Sequence, residues 1–197
     1  HNDITNLNVM LDLSGKIPVP KIIDFGYARF LSQSNKDFQK EGLNPFYTAN
    51  ETFNKVFSVQ SDVFSIGALY YHLLESLPPW FIEISKYKSD SIKLEDTIIE
   101  NRRKRLNFSL VTDQLTQNII SKALQPNAEN RFKSIKDFIK AMNGEMEVHQ
   151  LSSPKEISNP IIKEVKQGKG FSAIAGMQEL KVTIKLDVID ALNEKER

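Results

Sequence analysis

The spacing of hydrophobic residues changes along this chain and divides it into regions. Two short apolar runs, residues 9–13 and 19–23, flank the turn residues Ser14-Gly15-Lys16. Runs of this length around a glycine-bearing turn predict a β-hairpin. Residues 61–74 are hydrophobic on nearly every side, which is typical of a helix buried in the middle of a domain. We expect Ser61 to cap this helix and Pro78-Pro79 to end it.

Two further segments between residues 112 and 143 carry apolar residues at helical spacing and are predicted to be amphipathic helices. Residues 81–96 are more polar and are expected to form a loop or a short helix. The run Arg102-Arg103-Lys104-Arg105 follows shortly afterwards. A nucleic-acid or acidic-substrate patch is one interpretation of it, but no aromatic residues interleave with the charges. We therefore interpret the run as a solvated helix face.

The composition changes after residue 143, where Ser152-Ser153-Pro154, Asn159-Pro160 and several lysines replace large apolar residues. This composition predicts a linker over residues 144–168. Residues 169–197 carry two competing patterns, since alternate positions suggest a strand while a stripe at three- and four-residue spacing suggests a helix. The predicted organisation is a domain at 1–143, a linker at 144–168 and a partial helical segment at 169–197.

The overall composition excludes several kinds of site. The chain has 197 residues, a net charge of +1 and no cysteine. The balanced charge favours neither nucleic acid nor a membrane as a partner. Without cysteine there are no disulfides, thiolate metal sites or cysteine nucleophiles, and a cytoplasmic location is weakly favoured. With neither a long apolar run nor a signal peptide, we expect a soluble protein. The first residue, a histidine, suggests a piece of a longer chain.

Residues that carry chemistry are concentrated in the first 26 positions. His1-Asn2-Asp3 opens the chain, Asn8 follows Asp3 by five residues, and Asp24-Phe25-Gly26 follows the second apolar run. A carboxylate such as Asp3 can orient an attacking hydroxyl and accept its proton. The amide oxygen of Asn8 and the carboxylate of Asp24 are hard ligands of the kind that Mg²⁺ prefers. The hairpin would place these two at adjacent strand ends, where one ion could contact both; an ordinary hairpin with a solvated aspartate is the alternative.

These motifs resemble the catalytic loop and magnesium loop of the eukaryotic-type serine/threonine protein kinases. The resemblance covers residues 1–143 and implies a mainly α fold, that of the kinase C-terminal lobe with a small catalytic-loop hairpin. It also implies ATP and Mg²⁺ as cofactors and a protein as substrate. The implied catalytic residues are Asp3 and Asn8, the implied metal and nucleotide ligands are Asn8 and Asp24, and His1, Phe25 and Gly26 would be structural.

Three later positions are similar to landmarks of the same family. Ala49-Asn50-Glu51 stands where the family closes its activation segment with Ala-Pro-Glu. Asp62, near the start of the apolar helix, stands where a family aspartate accepts hydrogen bonds from the catalytic-loop backbone; a simple helix cap is the alternative. Arg131 stands where an arginine pairs with the closing glutamate. We therefore expect a bidentate, largely buried Glu51–Arg131 ion pair.

The chain departs from the family pattern at four positions: Asn2 replaces an arginine, Thr5 a lysine, Asn44 a threonine and Asn50 a proline. The absence of both the lysine and its threonine partner suggests a change in the part of the site that contacts the transferred phosphate. The glycine-rich loop and the strand lysine that grip the nucleotide in the family are not in this chain. Because catalysis of this type depends on positioning and electrostatics, the fragment alone is not expected to turn over ATP.

Several functions compete at this stage. The leading one is transfer of the ATP γ-phosphate to serine or threonine hydroxyls of proteins. A regulatory pseudokinase is favoured by the missing lysine and arginine but opposed by the intact set Asp3, Asn8 and Asp24. A small-molecule kinase of the aminoglycoside or choline type also uses His-x-Asp and a following asparagine, but it lacks the landmarks at Glu51, Asp62 and Arg131. A helical domain that carries the motifs by chance is the last alternative.

The C-terminal segment has a resemblance of its own. Phe171, Ile174 and Gly176-Met177 are spaced as in the entry segment of the AAA family of ATPases, where this motif precedes a helix. The resemblance implies a truncated start of an ATPase domain at 169–197, fused to the kinase-like lobe. The chain ends before a phosphate-binding glycine loop could appear. A detached amphipathic tail is the alternative.

Overall fold

The computed structural model describes residues 1–30, 42–87 and 91–149. These residues form a mainly α fold, as predicted, with one small hairpin. The predicted segment 169–197 and all but the first six residues of the predicted linker lie outside the described residues. The elements are β1 (Val9–Asp12), β2 (Val19–Ile22), α1 (Asn50–Phe53), α2 (Val59–Glu75), α3 (Ser91–Asn101), α4 (Gln114–Ala123) and α5 (Ile135–Met142), with 3-10 turns at Ile84–Tyr87 and Ala128–Asn130.

The predicted hairpin is present. Strands β1 and β2 are antiparallel, with Val9 opposite Ile22 and Asp12 opposite Val19. One more backbone bond, from the Ile23 amide to the Asn8 carbonyl at 2.9 Å, extends the pairing past both strands. The residue before β1 therefore lies beside the residues that follow β2.

Helix α2 is the buried central helix that the sequence predicts, but its ends differ from the prediction. Ser58, not Ser61, is the N-cap: the hydroxyl of Ser58 accepts from the Ser61 amide, and the Ser61 hydroxyl accepts from the Ser58 amide. The helix starts earlier because this reciprocal capping box satisfies two amides that a helix end leaves without partners. It ends at Glu75, before the prolines, because Ser76 adopts a left-handed conformation with φ of 65°.

The core lies between α2 and the two amphipathic helices α4 and α5. Phe64, Phe132 and Phe138 are fully buried there, and the rings of Phe132 and Phe138 pack edge to face at 5.4 Å. Helix α2 approaches α4 closely at Gly67, where an added Cβ would lie 2.7 Å from the Cβ of Ala123. Burial of these large side chains is the main source of stability for such a domain.

The polar segment predicted as a loop or short helix is more ordered than expected. It contains the turn Ile84–Tyr87, and α3 begins within it and continues to Asn101. Ile98, at 3 % exposure, anchors α3 to the domain. The helix was underestimated because its polar face dilutes the apolar periodicity that predicts a helix. Across the described part of the chain, the helices are too short or too polar to cross a bilayer.

Candidate active site

The loop before β1 folds back so that Asn8 faces Asp3. The side-chain nitrogen of Asn8 donates to the Asp3 carbonyl at 2.8 Å and to Asp3 Oδ2 at 2.7 Å. A backbone bond from the Asn8 amide to the Thr5 carbonyl, at 3.2 Å, closes the turn. Because both amide hydrogens of Asn8 are directed at Asp3, its Oδ1 is the atom that it can offer to a cation.

Asp24 lies at the same end of the hairpin as Asn8, one residue past the backbone bond that joins Ile23 to Asn8. It has a φ of 59°, and its Oδ1 accepts from the Gly26 amide at 3.1 Å. A Cβ on Gly26 would lie only 3.1 Å from that oxygen, so glycine permits this tight turn. The pKa of Asp3 is raised, mainly by burial and further by the Asp24 charge, against the opposing hydrogen bond from Asn8. The structure thus brings Asp3, Asn8 and Asp24 together.

His1 connects the loop to the end of β2. Its Nδ1 accepts a long hydrogen bond from the Asp3 amide at 3.4 Å, which leaves Nε2 to donate to the Ile23 carbonyl at 3.2 Å. Its ring packs against Phe25 at 4.8 Å. The side chain holds Asp3 in place relative to the turn that carries Asp24.

Asp62, in the first turn of α2, anchors the start of the loop. One carboxylate oxygen accepts from the backbone nitrogen of His1 and the other from the Asn2 amide, both at 2.8 Å. Asn2 adopts a left-handed φ of 68° and is 6 % exposed, and its side chain donates to the Tyr27 carbonyl at 3.0 Å. Asn2 therefore ties the loop to the segment after Gly26 by a neutral hydrogen bond.

The predicted ion pair between Glu51 and Arg131 is present and bidentate. Nη1 and Nη2 of Arg131 donate to the two oxygens of Glu51 at 2.6 and 2.9 Å, and Ser61 Oγ adds a bond to Oε1 at 2.9 Å. The arginine side chain is fully buried. Burial raises the pKa of Glu51, but the bonds and charge of Arg131 outweigh it, so the pKa is lowered overall. The carboxylate is therefore charged and fixed.

The prediction of a solvated basic run is wrong for its first residue. Arg102 is 3 % exposed, whereas the next three residues are exposed. Its Nη1 donates to Asn50 Oδ1 and its Nη2 to the Pro45 carbonyl, both at 2.6 Å, and its guanidinium lies 4.6 Å from the centre of the Phe64 ring. Burial, with the nearby Arg131 charge, lowers the pKa of Arg102 to about 9, which leaves it charged at neutral pH.

Sequence reasoning also missed Tyr47. It is 2 % exposed, and its hydroxyl donates to Asn6 Oδ1 at 3.0 Å and contacts His72 Nδ1. Burial raises the pKa of Tyr47 to about 12 and lowers that of His72. His72, on the central helix α2, is half-buried and hydrogen-bonded. Asn6 belongs to the loop between Asp3 and Asn8, so this phenol joins the segment just before Glu51 to that loop.

Two of the four residues that depart from the family pattern accept hydrogen bonds within their own turns. The Thr5 hydroxyl accepts from the Leu7 amide at 3.2 Å, and Thr5 is 3 % exposed. Asn44 Oδ1 accepts from the Phe46 amide at 3.2 Å. The buried Thr5 hydroxyl therefore serves its own turn, where the family pattern has a lysine that reaches the phosphate.

Comparisons with known proteins show which proteins this chain is similar to. The protein kinase domain model matches residues 1–144. The chain is 30 % identical over 125 residues to the serine/threonine-protein kinase shk2 of Schizosaccharomyces pombe, covering 58 % of this chain and 20 % of that protein. It is 29 % identical over 180 residues to human serine/threonine-protein kinase Nek2, covering 84 % and 38 %.

The fold is shared with a solved structure. The Cydia pomonella granulovirus kinase PK-1 superimposes with a TM-score of 0.57 at 18 % identity, covering 72 % of this chain and 52 % of that one. The chain thus spans about half of this structural relative and between a fifth and two-fifths of the two kinases above. With a matching domain model over most of its length and a kinase-like fold around Asp3, Asn8 and Asp24, the chain belongs to the protein kinase domain family.

Proposed function

We propose that this chain is the C-terminal lobe of a protein kinase that transfers the γ-phosphate of ATP to serine or threonine hydroxyls of proteins. The observation that carries the proposal is the convergence of Asp3, Asn8 and Asp24 at one edge of the hairpin. The serine/threonine kinases among its relatives support the reaction type. The exposed apolar side chains Met10, Leu11 and Phe25, at 57, 49 and 55 %, support a lobe whose hairpin is covered by further protein.

The donor set at this edge fits Mg²⁺. Asp24 contributes a carboxylate, and the hydrogen bonds of Asn8 to Asp3 leave the amide oxygen as its ligand atom. When bound, Mg²⁺ would neutralise charge on the nucleotide phosphates. We assign Asn8 and Asp24 as its ligands.

Asp3 is the proposed catalytic base. Asn8 holds one oxygen of its carboxylate, so the other is free to accept the proton of an attacking hydroxyl. His1 and the Asp62 anchor fix the backbone on which Asp3 sits. Asp3 therefore orients the hydroxyl and receives its proton as the phosphoryl group moves.

One observation favours a second candidate, a regulatory pseudokinase. The family lysine that contacts the transferred phosphate is Thr5 here, and the buried threonine hydroxyl is bonded to the Leu7 amide. A residue other than Thr5 would therefore have to contact the transferred phosphate. A regulated ATPase module at 169–197, as its motif suggests, would suit such a scaffold.

The deciding experiment measures phosphate transfer from ATP to a generic protein substrate by the complete natural protein. We expect D3N to lower the rate by about 10²–10⁴-fold. D12N is the matched control, because Asp12 pairs with Lys21 on the exposed hairpin, away from the proposed base. Equal rates for wild type and D3N would refute the role of Asp3. Absence of transfer in the wild type, with Mg²⁺-dependent ATP binding retained, would favour the pseudokinase.

A further inference from the structure

The buried guanidinium of Arg102 joins the two ends of one short segment. Its two terminal nitrogens donate to the Pro45 carbonyl and to Asn50 Oδ1, each at 2.6 Å. Residues 45–50 lie between these contacts, and we call them the closing turn. Tyr47 lies in the middle of this turn, with its hydroxyl on Asn6 at 3.0 Å. Arg102 is therefore linked to Tyr47 through two hydrogen bonds and a few backbone residues, and the Tyr47 hydroxyl contacts the loop that carries Asp3.

The electrostatics set this arginine apart from an ordinary buried ion pair. Two guanidinium groups contact the Phe64 ring, Arg102 at 4.6 Å and Arg131 at 4.9 Å. Glu51 gives both of its oxygens to Arg131, and Arg102 donates to neutral oxygens instead. A buried cation carries a desolvation cost that good hydrogen bonds and a ring face only partly offset. What the arrangement gains is a rigid planar fork that holds the Pro45 carbonyl and the Asn50 side chain at a set distance.

We propose that Arg102 is a positioning residue, which holds the closing turn through Asn50 and Pro45 and thereby places Tyr47 against the loop of Asp3. Asn50 stands where the family pattern has a proline. A proline restricts the backbone through its ring, whereas asparagine restricts it here by offering a side-chain acceptor to Arg102. Asn50 and Arg102 therefore act as one unit. The kinetic part of this proposal rests on the proposed function, and the positional part does not.

The positional part is tested by NMR on the ¹⁵N-labelled chain. We expect R102M and N50A to shift the backbone and side-chain amide signals of Asn6, although Arg102 contacts the closing turn and not Asn6. The matched control is R103M, because Arg103 is the exposed neighbour in the same run. If R102M prevents folding, R102K keeps the charge and loses the fork, and N50A keeps the arginine. A folded R102M, R102K or N50A variant with the Asn6 signals of the wild type would overturn the proposal.

The kinetic part is tested in the complete natural protein, well below the melting temperature of each variant. We expect R102M and N50A each to lower kcat by about tenfold to a hundredfold while KM for ATP stays within about twofold. The double variant should be no slower than the slower single variant, because both changes release the same turn. R103M should match the wild type. Unchanged kcat in folded R102M, or multiplying effects in the double variant, would overturn the proposal.

The two measurements separate this inference from the proposed function. If the wild type transfers no phosphate, the proposed function fails, and the Asn6 signals still decide whether Arg102 positions the loop. If the wild type is active and D3N is not, but R102M is fully active with unmoved Asn6 signals, the proposed function stands and the inference fails.

Discussion

The Glu51–Arg131 pair gives the sharpest stability prediction. Arg131 is fully buried and donates five hydrogen bonds: two to Glu51 and one each to the carbonyls of Gln60, Gln125 and Pro126. R131M removes all five and leaves a largely buried carboxylate with its bond from Ser61. Breaking one side of a buried pair costs about 3–5 kcal/mol. A typical domain has about 5–15 kcal/mol of unfolding free energy, so R131M should bring this one close to unfolding.

The opposite change tests whether the cost comes from an uncompensated charge. E51Q keeps the shape of the side chain but directs an amide N–H at a guanidinium that already donates, and it leaves the buried cation unbalanced. We expect a cost in the same range of about 3–5 kcal/mol. The double variant E51M/R131M should cost clearly less than the two single changes added together, because neither member of the pair is left as an uncompensated buried charge.

Urea unfolding followed by circular dichroism measures these differences. Lys133 and Glu129 are exposed residues on either side of Arg131, so K133M and E129Q serve as matched controls within about 0.5 kcal/mol of the wild type. A folded R131M that loses less than about 1 kcal/mol would refute the reasoning. Additive effects of the two single changes would refute it as well.

Three further predictions concern pH and packing. The folded state lowers the pKa of Glu51 below its ordinary value of 4.5, so the pair stabilises the protein above that value and loses its effect as the pH falls through the folded pKa; the difference in unfolding free energy between wild type and E51Q should therefore shrink in acid. G67A places a methyl group 2.7 Å from the Cβ of Ala123, and this overpacking should cost about 1–3 kcal/mol by urea unfolding despite the better helix propensity of alanine. Glu75 accepts the amides of Ser109, Leu110 and Val111, so E75A should cost about 1–3 kcal/mol and speed hydrogen exchange at these amides.

Each of these predictions has an outcome that would contradict it, and G67A also has a matched control. A pH-independent difference between wild type and E51Q would show that the pair does not depend on the carboxylate charge. G15A should be near neutral, since a Cβ there meets nothing closer than 3.6 Å, and equal costs for G15A and G67A would remove the packing explanation. Unchanged exchange at residues 109–111 in E75A would show that backbone geometry alone holds that loop.

The local sequence pattern was sufficient to predict much of the secondary structure of this protein. The hairpin, the buried central helix and the two amphipathic helices follow from the spacing of apolar residues, because that spacing reports which face of an element is buried. The proximity of Asn8 and Asp24 was also predictable, since a short hairpin brings the residues at its two ends together, whereas Asp3 was assigned to the same site by the family resemblance. Glu51 and Arg131 lie 80 positions apart, and only the resemblance to a family with a known pairing joined them.

Only the tertiary structure showed that Arg102 and Tyr47 are buried and which groups they contact. A basic run has the same local pattern whether its first residue is solvated or buried; the difference lies in Asn50, 52 positions away, which offers the acceptor. The same holds for the phenol that reaches Asn6 across 41 positions. Sequence periodicity shows which side of an element is buried. Which polar groups meet inside the fold depends on distances between elements, and those are set only when the helices pack.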